Sequence, residues 1–397
     1  MQILGRSLLV VLALGGAALA VQTPPQLPPP FHTPSAMNRP TVIPRPEGVE
    51  VRVPPGFKVE VVAEGFEVPR FMLLGPSQEI LLSDSARDGG GAVYVLRAGR
   101  DGRIEQKTKI VEGLNRPYGL ALWKDYLYLA EPDSVKRCKY DPGAMKAASP
   151  LEEVVSLKGL GMGHWTRTLL FDRKGEKMYV TVGSASNVDA GEDPRRAAIN
   201  RYDPDGSGHE IVATGLRNVI GLRWLPGTDT LWAATQERDG LGDDLVPDYF
   251  TSVKPGAFYG WPYAYIGPHE DPRRKGERPE LVQKTVVPDV LLGAHVAVLD
   301  FVFYGGKAFP PEYRGGAFLA QHGSWNRSKR VGYNLAFVPF KDGRPAGEPR
   351  EFLSGFMLAP DKAEVWGRPV GLLEMPDGSL LMTDDGGGRV WRISHGG

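Results

Sequence analysis

Cysteine is nearly absent: Cys138 is the only one in 397 residues. No disulfide can close within the chain, and neither a cysteine metal cluster nor a Cys-x-x-Cys-His haem site exists. Net charge is absent too, with Lys+Arg and Asp+Glu both at 47. No overall field draws the protein to nucleic acid or to an acidic membrane, and nucleic acid is not an expected partner. Long helical periodicity is missing because glycine and proline interrupt it. The one long apolar run is at the start, where Arg6, the stretch Leu8 to Leu19 and the small-residue site Ala18-Leu19-Ala20 read as a secretory signal over residues 1–20. That run is short for a membrane span. The expectation is an exported chain, periplasmic or secreted, with no stable membrane insertion after cleavage.

What is abundant is turn chemistry, with 50 Gly and 35 Pro. Residues 21–50 are proline-dense (Pro24-Pro25, Pro28-Pro29-Pro30, Pro44-Arg45-Pro46) and read as an extended linker, either a spacer or an arm along the surface. From Val51 onward a theme recurs: a Gly or Pro turn, an apolar run, a polar turn and an alternating run. Its starts at Pro69, Pro117, Arg167 and Val219 lie about 50 residues apart, the length of a four-stranded propeller blade. Starts near Leu299 and Pro369 follow after wider gaps that leave room for insertions around Trp261 to Pro288 and Phe340 to Ala363. Six starts predict one all-β domain over 51–397, a six-bladed β-propeller of four-stranded antiparallel blades. Phe57 to Val62 is expected to pair with the last blade and leave no bare sheet edge.

Propeller loops converge at one end of the central channel, so residues in phase along the repeat are expected to meet there. Those residues are Arg70, Arg116, His164 with Arg167, Arg217 with Asn218, and Arg368. They read either as solubilising surface cations or as a cationic mouth for a multi-anionic ligand. The stretch Gln236 to Asp244 is oxygen-rich and broken by glycine, which suits a hard cation or simply an acidic turn. His295 and the loop His322 to Arg330 are further polar candidates. Asp385 to Gly388 has no phosphate-loop lysine and reads as a hairpin turn.

The motifs GHWTR (163–167), YVTVGS (179–184), GLRN (215–218), ERDGLGDD (237–244), YGWP (259–262), HGSWNR (322–327) and WGRPVGL (366–372) together resemble the soluble quinoprotein glucose and sorbosone dehydrogenases, most nearly the sorbosone-like branch. The resemblance implies pyrroloquinoline quinone (PQQ) and Ca2+ as cofactors, an aldose or aldehyde as substrate and an external electron acceptor. It implies His164 as the general base, and Arg217, Asn218, Arg238, Arg327 and Arg368 around the cofactor. Carbonyls of the turn at Asp239 and Gly240 would hold the metal. Three departures accompany it. Gly163 stands where the glucose enzyme has Asp, and Arg238-Asp239-Gly240 stands for Gln-Gly-Pro. Arg327, Lys329 and Arg330 compete for the role of a cofactor-contacting lysine. Two rival readings stay open: a calcium-dependent sugar lactonase or hydrolase, and a non-catalytic propeller that binds glycans or a protein.

Overall fold

The computed structural model describes residues 23–99, 101–161 and 163–396, so the signal segment 1–20 lies outside the described residues. Six antiparallel sheets surround a central channel, as the repeat predicts. Blade 1 runs Pro69–Leu74, Ile80–Asp84, Gly91–Ala98 and Ile104–Leu114. The innermost strands of blades 2 to 6 are Leu120–Trp123, Leu169–Phe171, Asn218–Trp224, Val298–Phe303 and Pro369–Glu374. Blade 6 is completed by Phe57–Glu64, which pairs with Arg389–His395 and joins the start of the domain to its end.

Each sheet is covered by its neighbours on both faces, so second strands are mostly apolar and closed to solvent. Ile80–Asp84, Met178–Val182, Ala317–Gln321 and Leu380–Asp384 are buried at every position. Between blades the core is aromatic. Phe250 packs 4.7 Å from Phe301, and the Trp366, Phe356 and Trp391 rings cluster between blades 5 and 6. Polar stitches tie the second strand of one blade to the inner edge of the next: Ser83 Oγ donates to the Tyr118 carbonyl (2.8 Å), and Thr383 Oγ1 to that of Arg70 (2.6 Å). Deeper in the channel, Arg223 donates to Asp300 (2.8 Å) and to the Leu372 carbonyl, bridging blades 4, 5 and 6.

The long insertion lies between the third and fourth strands of blade 4. It carries the hairpin Ala264–Tyr265/His269–Glu270 and the short helix Pro279–Lys284. The region 340–363 is less of an insertion than its length suggests, because Arg350–Leu353 is the fourth strand of blade 5. Within the proline-dense tract, residues 31–43 lie along the domain. Thr41–Val42 pairs in parallel with Glu364–Val365, and Phe31 and Asn38 donate from their backbones to Leu241 and Trp325. Among the described residues no helix is long and apolar enough to cross a membrane.

Candidate active site

In blades 1, 4, 5 and 6 the first residue of the inner strand pairs with the last of the second: Pro69 with Asp84, Asn218 with Gln236, Val298 with Gln321, Pro369 with Asp384. This register brings two sets of loops to one end of the channel, and the in-phase residues sit there. His164 is common to two adjoining cavities of about 280 and 270 Å³. One is lined by Arg87, Asp88, Arg116, Trp165 and Arg167, the other by Arg217, Glu237, Asp239, His295 and Asn326.

The orientation of His164 is set by the backbone. Its Nδ1 lies 2.8 Å from the Ser184 carbonyl oxygen, which can only accept, so Nδ1 carries the hydrogen. Nε2 has no partner among the described residues and carries the free lone pair. Burial, and then the guanidinium of Arg217, push the imidazole down to about 3, so it is neutral across the physiological range. Gly163 makes this placement possible: its φ is +118°, and a Cβ there would stand 2.3 Å from the Ala185 carbonyl. An aspartate in the preceding position is therefore sterically barred, and the Ser184 carbonyl does the orienting. Gly183 lets His164 approach Asn218, since a Cβ would fall 2.6 Å from the His164 Cβ and 2.3 Å from Asn218 Oδ1. Arg167 lines the first cavity, as expected, but is almost wholly buried and donates to the His164 and Thr166 carbonyls.

Arg217 donates to the Glu237 carbonyl (2.6 Å), to Asn187 Oδ1 (3.1 Å) and to Asp239 Oδ2 (3.0 Å). Gln236 donates to the Val298 carbonyl and accepts from Asn218 Nδ2, which leaves Asn218 Oδ1 buried and unpartnered. Across the mouth, Arg70, Asp385, His322 and Arg368 form a second group. Asp385 bridges Arg70 (2.6 Å) and His322 Nε2 (2.8 Å), and Arg368 Nε reaches the His322 carbonyl (3.3 Å). Burial and the Arg368 charge bring His322 down to about 4, whereas Arg70 and His322 outweigh burial to hold the Asp385 carboxyl far below its usual range. Arg70 Nε is buried without a partner, and burial depresses the Arg368 guanidinium. The Trp165 ring lies 5.3 and 5.2 Å from the guanidinium carbons of Arg70 and Arg116.

Two predicted cofactor ligands point elsewhere. Arg238 is fully buried and spent on Glu237, Asp271 and the Pro262 and Ala264 carbonyls, which anchor the blade 4 insertion. Its side chain is wholly enclosed by these acceptors, whereas that of Arg217 reaches the second cavity, so Arg238 presents no face to a ligand. Arg327 turns one terminal nitrogen to Asp244 (2.9 Å), which draws it toward the 237–244 turn, while its Nε is buried without a partner. Arg330, the alternative, is buried beneath the N-terminal arm, bonded to Asn38 and Arg39; Lys329 is exposed. His295 has both readings at once: it lines the second cavity, with Nε2 on the Gly242 carbonyl (2.9 Å) and Nδ1 accepting from Asn326 (3.0 Å). Sequence reasoning missed Asp385, Asn187 and Arg273, and took Asn326 only as part of the candidate loop His322 to Arg330. Only Asp385 carried a local signal, as an acid in a turn beside the in-phase Arg368.

The unpartnered Arg70 Nε, the free end of Arg368 and the orphaned Asn218 acceptor fit a flat, polyanionic ligand with further polar atoms, as PQQ is. The metal site expected at Asp239 and Gly240 does not fit. The Asp239 carbonyl already accepts from Arg273 (2.7 Å) and Asn187 (2.9 Å), and both carboxylate oxygens accept from Arg217 and Asn326. Arg273 also stands 3.3 Å from where a Gly240 Cβ would be. A dication needs six to eight oxygens; here guanidinium groups hold those positions. Among the described residues no three His, Cys, Asp or Glu side chains converge to hold a metal.

Comparison with known proteins agrees with this architecture. An uncharacterized protein of Borreliella burgdorferi is 30% identical over 87% of this chain and 91% of its own length. A pyrroloquinoline quinone-dependent pyranose dehydrogenase of Coprinopsis cinerea is 24% identical over 87% of this chain, which spans 55% of that enzyme. The solved PQQ domain of the Coprinopsis cinerea pyranose dehydrogenase, in holo form, superposes with a TM-score of 0.75 at 21% identity, covering 89% of this chain and 98% of that domain. A calcium structure of the Trichoderma reesei carbohydrate-active enzyme of family AA12 gives 0.74 at 19% identity, covering 95% and all of the two chains. The structural likenesses carry the fold, and the Coprinopsis cinerea enzyme, quinone-dependent by name, is of the quinoprotein class that the motifs resemble. The TrAA12-like family matches residues 51–252 and 277–396, and this chain belongs to it.

Proposed function

We propose that the protein is a quinoprotein oxidoreductase that oxidises a sugar, as an aldose hemiacetal or hydrated aldehyde, and passes the electrons to an external acceptor. The observation that carries this is His164, its Nδ1 fixed on Ser184 and its Nε2 unengaged, between two cavities and beside Arg217. When bound, PQQ supplies a hydride-accepting quinone. Arg217 and Arg368, with Arg70 behind Asp385, hold its anionic groups through charge-assisted hydrogen bonds. His164 Nε2 takes the proton of the sugar hydroxyl, and the Ser184 carbonyl keeps the ring aligned while it becomes cationic. The Arg223 bridge lies across the channel between blades 4, 5 and 6, below the reacting centre. The Coprinopsis relative, a PQQ-dependent pyranose dehydrogenase by name, supports the sugar class.

Calcium has no step in this scheme, because the Asp239 turn is occupied by Arg217 and Arg273. The lactonase reading loses its metal on the same ground. The test is titration of purified apoprotein with PQQ, followed by dye reduction against a panel of aldoses and aldehydes. Saturable PQQ binding with sugar-dependent dye reduction is expected. Sugar turnover without PQQ, or PQQ binding with no oxidation of any sugar in the panel, would overturn the proposal.

A further inference from the structure

The cavity on the Trp165 side of His164 has a charge imbalance that the proposed reaction does not use. The exposed Arg87 and the half-buried Arg116 line it, and neither guanidinium donates a hydrogen bond to any described residue. Arg116 is held in place from behind: its backbone takes a φ of +51°, fixed by donation from its N–H to the Ala86 carbonyl (2.9 Å), and its side chain lies over Trp165. A left-handed conformation is costly for a non-glycine residue and persists only where surrounding structure imposes it. Asp88 is the one carboxylate in the lining, set against Arg87, Arg116 and the buried Arg167. Arg70 adds positive field from beyond Trp165, although Asp385 balances most of it. Burial and the neighbouring charges of Arg87 and Arg70 lower the Arg116 pKa, as expected of cations crowded without enough anions.

A neutral sugar gives these groups nothing to neutralise. The cations assigned to PQQ, Arg217 and Arg368, lie outside this cavity's lining. We propose that the cavity lined by Arg87, Arg116 and Trp165 is the substrate subsite and selects sugars that carry an anionic substituent, a carboxylate as in uronic acids or a phosphate. This rests on the oxidoreductase reading and adds no redox step to it. Forked guanidinium donors would bind the anion, while the reacting hydroxyl faces His164 Nε2.

The experiment uses PQQ-loaded full-length protein and compares kcat/KM for glucose, glucuronate and glucose 6-phosphate by dye reduction, at low and at high salt. The expected result is a preference of about tenfold or more for at least one anionic sugar, the scale of one or two charge-assisted hydrogen bonds. Glucuronate and the phosphate sugar, as separate arms, identify the anion. The preference should shrink with salt and fall about tenfold in the Arg87→Gln/Arg116→Gln double variant. Turnover of glucose with no advantage for either anion overturns the inference and leaves the oxidoreductase reading intact. So does a double variant that keeps the preference but binds PQQ more weakly, because the arginines would then belong to the cofactor. PQQ binding with no oxidation of any sugar overturns the parent reading and this inference with it.

Discussion

Nδ1 of His164 donates to the carbonyl oxygen of Ser184 at 2.8 Å, and Ser184 Oγ lies 3.0 Å from the same nitrogen. A backbone carbonyl orients the imidazole here without adding a negative charge beside it. In the proposed reaction the ring would therefore be a directed but weak base acting through Nε2. His164→Ala is expected to lower turnover by about two to four orders of magnitude, the usual contribution of a positioned general base. PQQ binding, measured by absorbance titration, should change little, because Arg217, Arg368 and Arg70 remain. Near-normal turnover by the loaded variant would remove His164 from the chemistry.

The same environment makes a pH prediction. The folded-state pKa of His164 is depressed to about 3 by burial and then by Arg217. A base acts in its unprotonated form, so lowering its pKa extends activity toward acid. The acid limb of kcat/KM is expected well below the 6.5 of an ordinary imidazole. A limb centred near 6.5 that disappears in a His164 variant would show that the ring is not buried as described.

Gly163 is expected to tolerate no side chain. With φ at +118° and the Ala185 backbone 2.3 Å from a would-be Cβ, Gly163→Ala must either move the 184–186 loop or shift His164. A loss of about 1–3 kcal/mol in stability is expected from the backbone conformation and the overlap. Turnover should fall further than stability alone explains, because the 184–186 loop carries the Ser184 carbonyl. Thermal melts and kcat of the variant decide this, and an unchanged melting temperature would contradict the geometry.

The blades and the phase of the mouth residues were legible in the sequence because both follow from the repeat: a strand buried on both faces must be apolar, and a turn of fixed length must recur. The direction of each arginine was not legible. Arg217 and Arg238 both flank the central strands of blade 4, yet one faces the cavity and the other is drawn back by Asp271, which belongs to an insertion 33 positions away. Charge type at a repeat position does not reveal which acid lies nearer. The orienting group of His164 was illegible for another reason, since every residue has a carbonyl and only the fold selects Ser184.

Metal removal tests the guanidinium-filled turn. The Asp239 carbonyl and carboxylate are satisfied by Arg273, Asn187, Arg217 and Asn326, so an incoming dication would have to displace two cations. Exhaustive chelation is expected to leave PQQ affinity and dye-linked turnover within about twofold, less than 1 kcal/mol. Arg273→Ala is expected to open the Asp239 carbonyl and make PQQ binding respond to added calcium. A strict calcium requirement in the unaltered protein would mean that Arg273 leaves the turn when the ion arrives.

The N-terminal arm is expected to act on the site from a distance. Arg330, 2% exposed, donates to Asn38 Oδ1 (2.6 Å) and the Arg39 carbonyl (3.0 Å), while Asn38 Nδ2 donates to the Arg327 and Ser328 carbonyls. Thr33 Oγ1 accepts from the Asp243 backbone. The arm thus ties the loop bearing Trp325 and Asn326 to the loop bearing Asp239, two walls of the second cavity. Asn38→Ala removes an acceptor from a buried guanidinium, for which about 1–3 kcal/mol of destabilisation is expected. If the arm positions the loops, PQQ affinity should fall as well, and Asn38→Asp, which keeps the acceptor, should recover part of both losses. An Asn38→Ala protein with a lower melting temperature and unchanged PQQ affinity would limit the arm to stability.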